Sequence, residues 1–137
     1  MNTSVSISHS DIAAQVKAAV ALNALMHPDL STPPLLTAGA AAMDTVIEGS
    51  LRKVAMALGK AVISITQADG CTVLETDGYF PRLRFMAEQM AVAEVLALCY
   101  TGTTASARYA ESAQQLSQQT TELMNVSQIP RIRSWPN

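Results

Sequence analysis

Apolar residues recur along this chain at helical spacing, then briefly in alternation, then at helical spacing again. Ile12, Val16 and Val20, followed a turn later by Leu22, Leu25 and Met26, trace a broad stripe through residues 11–26, while Gln15, Lys17 and Asn23 can face outward. Ser10 is placed to cap this helix, Asp11 sits at its favourable positive end, and His27-Pro28 stops it. The connector HPDLSTPP is rich in turn residues, and Pro34 suits the first turn of a second helix over residues 35–58. Within it, Met43, Ile47, Leu51, Val54 and Leu58 fall on one face, and Gly59 ends the run.

The period changes over residues 60–78. AVISIT and CTVLET are rich in β-branched residues and flank ADG, which predicts a β-hairpin or an extended insertion. Val62, Ser64 and Thr66 alternate with Ile63 and Ile65, so one face of the first strand is expected to be apolar. A two-stranded ribbon is marginal in water, so it needs cover from a helix or a neighbouring subunit. Pro81 opens a third helix reaching about residue 100, which is apolar nearly all round in its second half and is therefore expected to be the most buried. A fourth helix over residues 105–124 carries a narrower seam of Tyr109, Ala113, Leu116 and Leu123 opposite a Gln-rich face. Residues 125–137, NVSQIPRIRSWPN, show neither period and read as an extended tail.

The fold class predicted is mainly α: one four-helix domain over residues 1–124 with the hairpin or extended insertion between helices 2 and 3, then the C-terminal tail. The 137 residues suit one core. Apolar residues make up 49% of the chain but aromatics only 4%, so the core must be built from thin side chains that let helices approach closely. Charged residues are 15%, below the roughly 25% of average soluble domains, which leaves less charge to solvate a lone monomer's surface.

A net charge of -2 provides no global basic field for nucleic acid. The first ten residues carry no Lys or Arg and do not make a secretory signal. Residues 83–100, the most apolar window, hold Arg84, Glu88 and Glu94, so they predict a core helix and no membrane span. Cys71 and Cys99 have no metal-ligand or disulfide spacing and read as buried free thiols.

Catalysis needs convergent reactive groups. His9 and His27 both fall at predicted helix edges, no G-x-S-x-G occurs, and the glycines are too isolated to cradle a phosphate. Asp44 and Glu48 share a helical face at i, i+4, which a solvated face or contact with Arg52 explains. The sequence therefore predicts no enzyme, no catalytic residues, no cofactor and no metal. Two interaction elements stand out instead. In the tail, Ile129, Arg131, Ile132, Arg133 and Trp135 join apolar anchors to guanidinium groups and are the predicted partner-binding residues. The hairpin's edges offer backbone groups that either fold onto the chain's own helices or continue into another subunit.

The stretch YFPRLRFMAEQMAVAEVLALCY, a short break, and then ARYAESAQQLSQQTTELMNVSQIP resemble the small α-helical head-tail connector, or adaptor, proteins of tailed bacteriophages. Pro81, Tyr109, Ala110, Ala113 and Leu116 carry the match, over about 60 residues. The resemblance implies a structural virion protein made in the host cytoplasm and placed at the neck. It would form a homo-oligomeric ring docked on the portal protein and joined to tail or tail-terminator proteins, with DNA passing through the lumen without sequence-specific binding. It also offers the tail segment a use, by insertion into a neighbouring ring or the portal. The competing readings are a DNA-binding packaging or regulatory factor of small-terminase-like kind, and a helical chaperone-type binding protein.

Overall fold

A computed structural model of the chain describes the backbone of residues 2–133 and the side chains of residues 2–124. It is mainly helical, with a small antiparallel sheet. In chain order come β1 (Asn2–Ser8), α1 (His9–Met26), α2 (Pro34–Thr37), α3 (Ala40–Leu58), a single 3₁₀ turn, β2 (Val62–Ala68), β3 (Cys71–Asp77), α4 (Leu83–Cys99) and α5 (Thr104–Arg133).

The predicted hairpin is present as β2 and β3, turned at Asp69-Gly70, where Gly70 adopts a φ of 76° that a side chain would resist. Its support is a third strand that the helical reading missed. NTSVSIS alternates Val5 and Ile7 with serines, and this segment pairs antiparallel with β3 to give the order β1-β3-β2. Val5, Leu74 and Ile65 form one row across the helix-facing side, and Ile7, Thr72 and Gln67 form the next. A register shift between Val62 and Ser64 breaks the simple alternation predicted for β2. Ile63 is consequently 49% exposed, while Ile65 remains half-buried.

The helices differ from expectation mainly at their ends. Helix α1 starts at His9, so Ser10 lies inside it and Ser8 occupies the cap position without a capping side-chain bond. Its stripe is narrower than predicted: Ile12, Val16 and Val20 are buried, but Leu22, Leu25 and Met26 stand out in solvent. The second predicted helix is two helices, divided at Gly39, whose φ of 106° cannot continue an α-helix. That makes five α-helices among the described residues where four were expected. The face of Met43, Ile47, Leu51, Val54 and Leu58 is buried as its spacing requires. Helix α4 is the central one, burying Leu83, Met86, Ala87, Val95 and Leu96 along with the run from Met90 to Ala93. No helix among the described residues is long and apolar enough to cross a membrane.

On α5 the seam includes Ala105, Ala113 and Met124, with Thr120 taking the buried place assigned to Leu123, which is 43% exposed. Thr120 is tolerated there because its hydroxyl donates to the Leu116 carbonyl one turn back, at 2.7 Å. The helix continues to Arg133, which replaces the extended conformation expected from residue 125 to that point. Residues 134–137 lie outside the described residues.

Candidate functional site

The end of β1 delivers His9 into the interior. Ser8 pairs with Cys71, and the His9 N–H then donates to the Gly70 carbonyl at 3.1 Å, so the strand ladder holds the first residue of α1 against the hairpin turn. The His9 side chain is 3% exposed. Its Nδ1 lies 2.6 Å from Asp44 Oδ1 on α3, and its Nε2 lies 2.7 Å from Thr72 Oγ1 on β3. The Thr72 hydroxyl donates to Gln67 Oε1 on β2 at 2.6 Å. One hydrogen-bonded chain thus ties together β1's continuation into α1, the two strands of the hairpin, and α3.

Hydroxyl, imidazole and carboxylate in this order share the connectivity of a nucleophilic triad, but the accessibility is reversed. Thr72 has no exposure and has committed its hydrogen to Gln67, so no substrate can reach its oxygen. Asp44, with 42% of its side chain exposed, is the end that meets solvent. It opens onto a groove of about 630 Å³ lined by α1, α2 and α3, including Lys17, Leu36, Met43 and Gly70 at the hairpin turn. Glu48, half-buried, stands one turn further along α3. The Asp44–Glu48 face read from the sequence is therefore a place where three ligand-type side chains meet. Among the described residues no ion pair joins either carboxylate to Arg52; the pairs present are His9 with Asp44, and Lys53 with Glu94 at 3.9 Å.

A second polar cluster lies at the far end of α1. Asn23 Nδ2 donates to the hydroxyls of Tyr109 at 2.8 Å and Tyr100 at 3.2 Å, whose rings stack with centroids 5.9 Å apart. Gln89 donates to Gln15 at 2.8 Å, which together with the Asn23–Tyr100 bond shows that α1 and α4 run in the same direction, linked at two levels by side-chain amides. His27 is exposed, and its backbone N–H closes α1 on the Asn23 carbonyl.

Both cysteines are free and half-buried, less enclosed than their composition suggested. Burial pushes the Cys99 thiol above its ordinary value of 9.0. The folded chain therefore holds this proton more tightly than the unfolded one, and stability is lost as pH rises beyond 9.0. Alkylation of Cys99 by iodoacetamide at neutral pH is expected to be several-fold slower in the native protein than in urea, as read by peptide mass spectrometry.

The predicted partner-binding side chains Ile129, Arg131, Ile132, Arg133 and Trp135 lie outside the described residues, although helix α5 carries the backbone as far as Arg133. What sequence reasoning missed was His9. Its partners lie 35 and 63 positions away, and no periodic pattern links such residues; only the Asp44–Glu48 spacing hinted at the place. Comparisons with protein-family models, curated proteins and solved structures gave no match.

Proposed function

We propose that this chain is a structural protein whose copies join head to tail into a ring, serving as a head-tail connector of the kind its sequence resembles. The observation that carries the reading is the state of the sheet's two edges. Both β1 and β2 run antiparallel to the central β3, so they run parallel to each other on opposite edges. Neither contains a charged residue or a proline, the usual devices that keep an open edge from pairing.

Copies related by a rotation without a twofold axis would place β2 of one beside β1 of the next, continuing the sheet through parallel pairing. Such a heterologous contact closes into a ring when the rotation per copy divides a full turn. Exposed Leu22, Leu25 and Met26 at the end of α1, together with Phe85 and Leu98 on α4, supply further apolar surface for neighbours. In the connector reading this ring docks on the portal and the lumen passes DNA, for which the chain's net charge of -2 offers no strong attraction.

Native mass spectrometry of the purified chain is expected to show a single closed oligomer. Ser6 and Thr66 both pair with Val73, lie in one row, and are exposed. Lysine at both positions is therefore expected to set like charges across each junction and yield monomers with unchanged helical circular dichroism. The combination Ser6→Glu with Thr66→Lys is expected to restore assembly. A wild-type chain that stays monomeric, or a double-lysine variant that assembles as before, overturns the reading.

A further inference from the structure

His9 brings a ring nitrogen beside two carboxylates. Its Nε2 is held 2.7 Å from the buried Thr72 Oγ1, and its Nδ1 lies 2.6 Å from Asp44 Oδ1. Glu48 adds a second carboxylate, and the ligand atoms of the three side chains all lie within 4.8 Å of one another.

We propose that His9 Nδ1, Asp44 and Glu48 form a binding site for a divalent first-row transition metal ion, with zinc the strongest candidate. One imidazole and two carboxylates are a donor set that suits zinc, cobalt or manganese better than the all-oxygen preference of calcium or magnesium. Ligands each about 2.1 Å from one ion stand roughly 3 to 4 Å apart, so coordination opens the 2.6 Å contact between His9 and Asp44 slightly and swings the half-buried Glu48 side chain inward.

Two features beyond the cluster itself point the same way. The first is the anchor behind His9: metal-bound histidines commonly hold their other ring nitrogen against a fixed hydrogen-bond partner, and buried Thr72 is that partner here. The second is access. His9 and Asp44 line the groove of about 630 Å³, which leaves room for an ion to enter and for water to fill its remaining positions. Lys17 also lines this groove, yet among the described residues it pairs with neither carboxylate.

A bound ion would clamp the start of α1 to α3 at the hairpin turn, stabilising the sheet whose edges serve assembly. The site does not depend on the ring reading, because all three ligands belong to one copy.

The test is titration of metal-free protein with zinc chloride, followed by calorimetry and thermal melting, and with cobalt chloride, followed by visible absorption. One equivalent is expected to bind, and the melting temperature to rise by roughly 5 °C at about a hundredfold excess over the dissociation constant. Because Glu48 is half-buried and outside the His9 hydrogen-bond chain, Glu48→Gln should fold normally. It is expected to weaken binding at least about tenfold and to change the cobalt spectrum. Absence of saturable binding overturns the proposal. Equal affinity in Glu48→Gln also overturns it.

Discussion

Thr72→Val is expected to destabilise the fold by about 2 to 4 kcal/mol, although valine matches threonine closely in shape. The substitution deletes one oxygen that serves two neighbours. Without it, His9 Nε2 and Gln67 Oε1 both lose their partner, and both were held within hydrogen-bonding distance of a side chain that has no solvent exposure. Water cannot replace the lost bonds without opening the sheet from α3, so the full desolvation penalty of each group appears as lost stability. Urea denaturation of the metal-free protein measures the loss. Thr72→Ser keeps the oxygen and deletes only a methyl group, so it should retain most of the stability. Equal losses in the two variants would show that packing, and not the hydrogen-bonded chain, is what Thr72 contributes.

The second large effect is expected at Leu51, which has no exposure and lies midway along the buried face of α3. Leu51→Ala removes apolar contacts and leaves a cavity that neighbouring helices can only partly close, costing about 3 to 4 kcal/mol. The chain has few large aromatic side chains to shift into such a void, with two Phe, three Tyr and one Trp in 137 residues. A change below about 1 kcal/mol in the denaturation midpoint analysis would mean that α3 packs more loosely than its burial indicates. Leu25→Ala, at a residue 80% exposed on α1, is the matching control and should leave monomer stability nearly unchanged.

These sites differ in how far the sequence revealed them. Leu51 belongs to a set spaced at one helical face, and that spacing alone placed it in the core, as it did for Met43 and Ile47. Thr72 sits in CTVLET, where β-branched composition correctly gave a strand but gave no sign that the hydroxyl would meet a histidine 63 positions earlier. Strand β1 went unseen because its apolar members are only Val5 and Ile7, set among serines and one threonine. Such a segment has too little hydrophobic contrast to announce itself, and becomes a strand because β3 presents an unpaired edge beside it. The extra helix boundary at Gly39 was likewise carried by one residue's backbone conformation inside an otherwise good helical window.

By itself, then, the sequence determined the mainly helical class, the hairpin, the inward face of α3 and the burial of α4, because each follows from local spacing and propensity within a window of ten to twenty residues. Tertiary structure alone decided the third strand, the outward turn of Ile63, and the meeting of His9 with Asp44, Glu48 and Thr72. Those features arise from pairing between segments far apart in the chain, where the free energy depends on which partner a group finds, and no local pattern encodes the partner's position.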